Sequence, residues 1–513
     1  MTHAPVSSSR RAMITVCAMA ATVMQALDTT IANVALPYMQ GSLSASLDQV
    51  NWVLTSYIVA AAIMTAPVGW IAARFGRKKL FVVCAAGFTV ASVLCGLAED
   101  ISQMVLFRLL QGVFGAALVP LSQAVMLDYY AVHERARAMA IWGMGVMLGP
   151  IMGPSLGAWL TETYSWHWVF FVNLPFGILT VAGLLIFLDE TEPDTRMTFD
   201  WFGFLALATG IGAMQMALDR GEQLGWLDSN EIVIEAIVSA IGYYFFFAHS
   251  LTTARPFIRF DIFRDRNFVS GCVFMAVIGL VLFGTMALSS PFLQDVIGYP
   301  IMTAGYLLAV RGVGTFIAMM LVGRIMRHVE ARTLIICGLS LTAITLYIMA
   351  GFTDQTSTSS FIVAAVLQGV GLGFVFVPLS TVAFLTLPQH LRTDGSAILT
   401  LMRNIASSIG ISLVIAQLTS NTIRAHAWLA EQVTPFNNAL QMPDVAAVIN
   451  LGTDAGRALV EAIIRVQAGI LAYSQDFSLI MGLTLLALPL TVLIGSSKVA
   501  LRAGAKPPPE AID

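Results

Sequence analysis

The chain has 513 residues, of which 57% are hydrophobic and only 11% are charged, and its mean hydropathy is +0.80. Soluble domains carry about 25% charged residues, so this composition excludes a soluble globular protein and indicates an integral membrane protein. The net charge of -3 gives no electrostatic footprint for a nucleic-acid partner, and the five cysteines show neither metal-ligand nor secreted-disulfide spacing.

Apolar stretches recur along the whole chain. A helix needs about 20 apolar residues to cross a bilayer, and fourteen stretches reach this length without the alternation of an outer-membrane barrel strand. The first run is too long for a signal peptide, so we interpret it as an uncleaved helix. We predict an all-α integral membrane protein with 14 transmembrane helices at residues 12–36, 50–72, 80–98, 103–127, 137–160, 167–188, 201–219, 231–251, 268–291, 302–323, 333–351, 359–382, 395–419 and 475–496.

The lysines and arginines are distributed unevenly among the predicted loops. If the termini and alternate loops are cytoplasmic, 20 of the 27 lie on the cytoplasmic side, and three lie within helices. Four fall on the opposite side: Arg220, Arg424, Arg457 and Arg465. By the positive-inside rule, this split predicts that both termini are cytoplasmic and supports an even number of helices.

Two short motifs occur twice, 257 or 258 residues apart. The sequence LQGV stands at 110–113 and at 367–370, and VPLS stands at 119–122 and at 377–380. A constant offset of this kind indicates duplicated halves, a common plan of secondary transporters. We predict a cytoplasmic tail at 1–11, a six-helix first half at 12–188, two inserted helices at 201–251, a six-helix second half at 268–496 and a cytoplasmic tail at 497–513.

The longest segment without a predicted span is 420–474, on the outer side of the membrane. Apolar residues at helical spacing within this segment predict one or two amphipathic helices that lie at the membrane surface or against a partner. A solvated loop that packs on its own protein fits the sequence equally well.

Asp28 lies within the first predicted helix, roughly 12 Å below the outer surface at about 1.5 Å per residue. A carboxylate at the centre of a membrane helix costs about 2.5 to 3.5 kcal/mol, so it requires a polar cavity, a cation or a proton. Gln25 shares its helical face, and Arg108 lies at a similar depth. We interpret Asp28 as an acid that loads and unloads a proton, with Arg108 as its counter-charge. The alternatives are a permanently paired structural acid and an arginine that extends to the outer interface.

Arg311 and Arg403 also lie deep within predicted helices. They are roughly 12 to 14 Å from the nearest helix ends, which is too far to reach the interface comfortably. Asp28 is the only acid that we predict at a comparable depth. The excess of deep cations leads to the hypothesis that the cavity is electropositive and accepts anionic or zwitterionic amphiphiles.

Glycines follow one another at four-residue intervals in the fifth predicted helix. This spacing places them on one helical face, where a second helix can approach almost backbone to backbone, and the prolines remove hydrogen-bond donors and bend the helix. We predict that this segment seals one side of a pathway. Its residues are Gly145, Gly149, Pro150, Gly153, Pro154 and Gly157.

The loop after the second predicted helix combines glycines with a cationic cluster. An anchor for membrane topology explains the charges but not the glycines, so we interpret the loop as a cytoplasmic gate. Its residues are Gly69, Arg74, Gly76, Arg77 and Lys78.

Together these motifs resemble the major facilitator superfamily, specifically its fourteen-helix drug:proton antiporter branch of EmrB/QacA type. The resemblance covers essentially the whole chain. Two positions depart from the family pattern, because Ala73 replaces the usual aspartate of the loop motif and Pro154 replaces a glycine of the antiporter motif. The matching segments are 27–37 in the first helix, 69–79 in the loop, 108–112 in the fourth helix, 145–157 in the fifth helix and 166–175 after it.

The resemblance implies export of amphipathic drugs or other toxic small molecules across a bacterial inner membrane in exchange for protons, without a cofactor. It links Arg108 with proton transfer, and we place Gln25, Asn33, Arg311 and Arg403 in the substrate cavity. Where the cell has an outer membrane, it also implies pairing with a periplasmic adaptor protein and an outer-membrane channel.

Proton-linked uptake and facilitated transport of a metabolite are the main alternative functions, because they share this fold. We predict no enzymatic activity and no metal site, since the sequence shows no nucleophile triad or metal-ligand spacing and its seven histidines lie in loops or at helix ends. A receptor would not need deep charges in duplicated halves.

Overall fold

Helices make up nearly all of the chain in the computed structural model, which describes residues 7–131, 134–194, 196, 198–253, 256–326, 328–434, 442 and 451–494. Within these residues there is no β-strand. Thirteen helices are long and apolar enough to cross a membrane, and one bent pair brings the number to 14. The predicted all-α fold with fourteen membrane segments is therefore confirmed.

The first half consists of six membrane segments, three of which are broken into two helices. The second segment bends by 58° where α2 meets α3, next to Pro67. Proline has no backbone N–H and cannot continue the hydrogen-bond ladder of the preceding turn. The helices are α1 (Ser8–Ser42), α2 (Leu47–Thr65), α3 (Val68–Phe75), α4 (Arg77–Gly96), α5 (Ile101–Gly115), α6 (Leu118–Tyr129), α7 (Arg135–Thr163), α8 (Trp168–Phe171) and α9 (Asn173–Phe187).

Two inserted helices connect this half to the second one. Inserted helix α10 contacts α2 of the first half, where Thr55 donates a hydrogen bond to Asp219, and α16 of the second half, where Gln215 Nε2 lies 2.6 Å from Ser408 Oγ. The inserted helices are α10 (Trp201–Leu224) and α11 (Asn230–Thr252). The helices of the second half are α12 (Arg266–Pro291), α13 (Ile301–Ile325), α14 (Ala331–Ala350), α15 (Thr358–Val382), α16 (Arg392–Glu431) and α17 (Asp454–Leu490). A π-helical turn, Phe292–Val296, follows α12.

The first and the last two membrane helices differ from the prediction. Helix α1 begins inside the predicted tail 1–11, because the Ser7 hydroxyl accepts a hydrogen bond from the backbone N–H of Arg10 and caps the helix. Helices α16 and α17 have 40 and 37 residues, so at about 1.5 Å per residue they exceed the roughly 30 Å hydrocarbon core.

The amphipathic helices predicted in 420–474, at the membrane surface or against a partner, are in the described parts of this segment extensions of two membrane helices. Residues 420–431 and 454–474 continue α16 and α17 beyond the membrane, and the two extensions pack against each other. The contact between His426 Nε2 and Glu461 Oε1, at 3.1 Å, joins them. Within this segment, 435–441 and 443–450 lie outside the described residues, as do 1–6 and 495–513 of the predicted tails.

Polar contacts show which helix ends lie on the same side of the bundle. Arg10, near the start of α1, pairs with Asp189 after α9 at 2.5 Å, and Arg266 at the start of α12 donates to the Leu493 carbonyl. Arg392, at the start of α16, pairs with Asp128 near the end of α6. We call the side that carries these ends the inner face and the opposite side the outer face.

The two halves share a hydrophobic core towards the inner face but have separate cores towards the outer face. The inner core contains Trp142 of α7 stacked on Phe376 of α15, with ring centroids 5.9 Å apart. Of the outer cores, one contains first-half residues such as Met39, and the other second-half residues such as Phe477. The pathway between the halves is therefore closed at the inner face.

The glycine ladder of α7 packs against α1. A Cβ atom at Gly149 would collide with the backbone carbonyl of Ala26, and one at Gly157 would lie 2.8 Å from the Ile31 carbonyl oxygen. Thr30 Oγ1 donates to the Gly149 carbonyl oxygen at 2.9 Å. Similar short contacts are made with α1 at Gly145 and Gly153. The prolines do not break α7, which runs continuously through Pro154, and the side chain of Pro150 lies outside the described part.

We expect Gly149→Ala to lower the free energy of unfolding of the protein in detergent by about 1 to 3 kcal/mol, because the added methyl group forces two backbones apart. Larger side chains at this position should lower the stability further while membrane insertion is retained. Gly482→Ala in α17 is the matched control, since a Cβ there meets nothing within 4 Å and alanine favours a helix by roughly 1 kcal/mol. If Gly149→Ala destabilised the protein no more than Gly482→Ala does, the close packing of α1 and α7 would be contradicted.

Candidate functional site

A buried ion pair lies at the centre of the first half. The Asp28 carboxylate of α1 is 0% exposed and the Arg108 guanidinium of α5 is 1% exposed, and Arg108 Nη1 lies 2.7 Å from Asp28 Oδ2. Burial of two charges is tolerated when they are paired and their remaining polar atoms are hydrogen-bonded. The structure thus brings together the two residues that were predicted to form the proton-coupling pair, and Arg108 does not extend to the outer interface.

Arg108 is fixed by groups from several helices. Its Nε donates to the Val53 carbonyl oxygen at 3.0 Å and its Nη1 to Gln111 Oε1 at 2.8 Å. The guanidinium also lies over the rings of Tyr57 and Phe170, with its central carbon 4.4 Å and 5.6 Å from their centroids. Such cation–π contacts stabilise a desolvated guanidinium.

Two amides complete the shell of Asp28 and were missed by the sequence analysis. Gln111 Nε2 donates to Asp28 Oδ1 at 2.8 Å, and Asn173 Nδ2 donates to the same oxygen at 3.1 Å. Asn173 also donates to Ser92 Oγ, which in turn donates to the Phe170 carbonyl oxygen. Two signals in the sequence pointed to these amides: each is a polar residue within an apolar helix, and each lies inside a segment that matched a family motif.

Two residues assigned to the substrate cavity from the sequence are not part of this network. Gln25 Nε2 lies 3.3 Å from the Tyr57 hydroxyl rather than next to Asp28. The side chain of Asn33, one turn closer to the outer face, is exposed. Gln25 therefore contacts the Asp28 site only through Tyr57, which stacks on Arg108.

Arg311 and Arg403 are buried in the second half, as their depth predicted. Arg311 is 6% exposed, and its Nη1 donates to Gln368 Oε1 at 3.2 Å. Arg403 is 9% exposed and its guanidinium has no hydrogen-bond or ion-pair partner among the described residues. The expectation that Asp28 is the only deep acid is wrong, because Asp476 of α17 is also fully buried. It is not paired with either arginine.

The duplicated motifs occupy equivalent places in the two halves. Gly112 packs on the Tyr57 carbonyl of α2, and Gly369 packs on the Arg311 carbonyl of α13. Arg311 therefore occupies in the second half the place that Tyr57 occupies in the first. The duplicated glutamines, Gln111 and Gln368, each accept a hydrogen bond from a buried arginine. The first half contains an acid next to this arginine, whereas Arg311 has no carboxylate within ion-pair distance among the described residues.

An ion-pair triad joins the two halves at the inner face. The Asp128 carboxylate accepts hydrogen bonds from Arg77, in the predicted gating loop, and from Arg392 at the start of α16, the latter at 2.8 Å. Ser396 Oγ donates to the Pro120 carbonyl oxygen at 2.8 Å and forms a second link between the halves. Ala73 cannot supply the acid of the loop motif, and Asp128 is the acid that links Arg77 of the loop to Arg392 of the second half.

Two different constraints explain why glycine stands at positions 69 and 76 of the gating loop. Gly69 faces Asp394 of α16, and a Cβ there would overlap the Asp394 carboxylate. Gly76 has φ = +93°, a conformation that side chains disfavour. The cations next to them contact backbone carbonyl oxygens: Arg74 lies 3.5 Å from that of Asp194, in the connection to the inserted helices, and Lys78 lies 2.9 Å from that of Leu185 in α9.

A duplicated helical bundle with a pathway closed at one face and a buried acid beside it is the architecture of a secondary transporter. Among the described residues, no group of three or more His, Cys, Asp and Glu side chains is placed to hold a metal ion. The chain belongs to the Major Facilitator Superfamily, whose sequence model matches residues 18–411.

Relatives place the chain in the EmrB-type multidrug efflux branch of the superfamily. It is 35% identical over 435 residues to the multidrug export protein EmrB of Escherichia coli, covering 84% of this chain and 85% of that protein. It is 33% identical over 441 residues to the fatty acid resistance protein FarB of Neisseria gonorrhoeae, covering 86% and 87%. The solved structure of the human organic anion transporter MFSD10 shares the fold, with a TM-score of 0.58 at 12% identity over 93% and 100% of the two chains.

We expect Asp128→Asn to open the inner face, because the substitution weakens two partly buried ion pairs at once. Loss of about 1.4 kcal/mol from the closed state corresponds to a tenfold change in the equilibrium. The measurement is maleimide labelling of Ser396→Cys from the inner face, in a background without the five native cysteines, and we expect the rate to rise roughly tenfold.

Asp261→Asn is the matched control, since Asp261 pairs with Arg264 in an exposed position on the same side. A labelling rate that is the same for Asp128→Asn and the control would show that the triad does not hold the gate closed.

Proposed function

We propose that this protein is a proton-coupled antiporter that exports amphipathic drugs or other toxic small molecules across the bacterial inner membrane, without a cofactor. The observation that carries the proposal is the buried Asp28–Arg108 pair beside a pathway closed at the inner face. The names of the relatives, multidrug export and fatty acid resistance, support export rather than uptake.

The inner face is the cytoplasmic face in this proposal, and both termini are cytoplasmic. The uneven distribution of lysine and arginine supports this orientation. The structure then corresponds to the state in which substrate has left the cytoplasm and the pathway is closed behind it.

Asp28 is the proton-binding group of the proposed cycle. Ionised Asp28 is stabilised by Arg108 and by two amide donors, and protonation of the carboxyl removes the charge that holds Arg108. Uptake of a proton from the outer side would release Arg108 from the pair, and loss of the proton to the cytoplasm would restore it. The network spans α1, α2, α4, α5 and α9, so a change in the pair is transmitted to most of the first half.

We expect wild-type protein in inverted vesicles to accumulate a fluorescent amphiphile when the vesicle interior is acidified, and to lose this accumulation when the gradient is collapsed. Asp28→Asn should reduce gradient-driven accumulation by more than tenfold, since the amide accepts hydrogen bonds but binds no proton. Asp28→Glu retains the titratable group and serves as the control.

Equilibration that is independent of the gradient would indicate facilitated transport, and accumulation driven only by the opposite gradient would indicate uptake. Gradient-driven accumulation by Asp28→Asn would contradict the role of Asp28.

The second half supplies the substrate contacts in this proposal. Arg311 has one neutral partner, and the buried guanidinium of Arg403 has none among the described residues. A buried cation without a counter-ion is costly, and an anionic group of the substrate would offset that cost. We therefore propose a preference for anionic or zwitterionic amphiphiles.

Arg311→Ala and Arg403→Ala should raise the KM for dodecanoate roughly tenfold and leave the KM for dodecyltrimethylammonium within about twofold, because a lost charge-assisted contact costs about 1.5 to 3 kcal/mol. Arg311→Lys and Arg403→Lys retain the charge and are the controls. Equal losses for the anion and the cation would overturn the assignment.

Pairing with a periplasmic adaptor and an outer-membrane channel is part of this proposal where the cell has an outer membrane. The extensions of α16 and α17 offer a helical surface beyond the outer face, with Ile423 and Trp428 exposed on α16. Their position at the outer face is compatible with an adaptor on that side.

A further inference from the structure

A second buried carboxylate lies in the second half, in surroundings opposite to those of Asp28. Asp476 of α17 is 0% exposed. Its Oδ1 accepts one hydrogen bond, from Asn421 Nδ2 of α16 at 3.1 Å, and its Oδ2 has no partner among the described residues. A buried carboxyl group with no cation nearby and only one neutral hydrogen-bond donor avoids the cost of burying a charge only if it carries a proton.

The contrast with Asp28 defines the charge states of the two acids. Asp28 receives a guanidinium and two amides, so its ionised form is stabilised. Asp476 receives a single amide, and that amide is held in place because Asn421 Oδ1 accepts from Gln417 Nε2 at 3.3 Å. The two environments favour a charged Asp28 and a neutral Asp476 in the same conformation.

Buried aromatic and aliphatic side chains lie next to Asp476 along α17. Phe292 of the π-helical turn meets Tyr473 and Phe477 edge to face, with ring centroids 5.3 Å and 6.3 Å apart. Ile480, one turn from Asp476 towards the inner face, is fully buried. Water is therefore kept from the carboxyl group on these sides.

The ionisable groups of the elements that pack against Asp476 form no ion pair with it among the described residues. Apart from Asp476, the ionisable groups on these elements are Arg332, Cys337 and Tyr347 of α14, Arg392, Asp394, Arg403, Arg424, His426 and Glu431 of α16, Arg266 and Cys272 of α12, Asp295 of the π-helical turn, and Asp454, Arg457, Glu461, Arg465 and Tyr473 of α17 itself.

A cavity gives this region a route towards the outer side. It has a volume of about 220 Å³ and is lined by residues that include Asp295, Arg465 and Tyr473. Tyr473 lies one turn from Asp476 along α17 and is itself buried. The cavity therefore ends at Tyr473, one helical turn from Asp476 along α17.

We propose that Asp476 is a second proton-binding residue of the transport cycle. It takes up a proton from the outer side through this cavity and holds it in the inner-closed state. When the second half has reoriented, the carboxyl O–H bond breaks and the proton passes to water. This proposal rests on the proton-coupled antiport proposed above.

The charge state of Asp476 is tested by infrared difference spectroscopy of the reconstituted full chain during a pH titration. We expect Asp476→Asn to lose one protonated-carboxyl band that the wild type shows near neutral pH. Asp354→Asn, in an exposed loop, should lose none. If Asp476→Asn fails to fold, Asn421→Ala is the second variant, and removal of its hydrogen bond should shift the same band to higher frequency. A wild-type spectrum without such a band, or a band unchanged in both variants, overturns the proposal.

The role in coupling is tested by the proton-to-substrate ratio, measured from the reversal potential in proteoliposomes with dodecanoate and dodecyltrimethylammonium. We expect Asp476→Asn to lower the ratio by about one proton per cycle, whereas a merely structural role would leave the ratio unchanged, since asparagine preserves the contact with Asn421. A wild type without any proton coupling would refute the antiport itself, whereas a coupled wild type with an unchanged ratio in Asp476→Asn would refute only the role of Asp476.

Discussion

The first half is organised around the need to keep one carboxylate charged inside an apolar bundle. Asp28 achieves this through Arg108, and Arg108 in turn requires the Val53 carbonyl, Gln111 and the aromatic faces above and below it. Because these groups come from different helices, the ion pair fixes their relative positions. Removing one member of a buried pair leaves an uncompensated charge and costs about 3 to 5 kcal/mol, so the intact pair stabilises the packing of the helices that it joins.

The duplicated halves have diverged in where they hold charge. In the first half the arginine lies on α5, and in the second half the place equivalent to Arg108 is Ala365. The second-half cation has moved to Arg311, at the position equivalent to Tyr57, while the duplicated glutamine still binds it. The first half thus holds a paired acid, whereas Arg311 and Arg403 of the second half have no counter-ion among the described residues. In the proposed cycle, proton and substrate bind in different halves and are coupled through the movement between them.

The sequence predicted those features that depend on local pattern. Hydropathy identified the membrane helices, and the four-residue glycine interval identified the close approach that α1 makes to α7. Matching depth alone paired Asp28 with Arg108. Gln111 and Asn173 escaped prediction because an amide in an apolar helix does not reveal which neighbour it faces. Asp476 was missed because helix α17 starts far outside the membrane, so a residue in its interior was placed at the end of a predicted span.

The same packing connects the acid to the inner gate. Helices α1 and α7 are in contact at the level of their backbones, with Thr30 of α1 bonded to the Gly149 carbonyl. At Gly149 the backbone of α1 lies directly against α7, so a displacement of α1 displaces α7 as well. On its other side α7 forms the seam with α13, where Ile151 fills the space above Gly312 and Ala140 packs on Gly323. These contacts link the helix that carries Asp28, through α7, to the boundary between the halves.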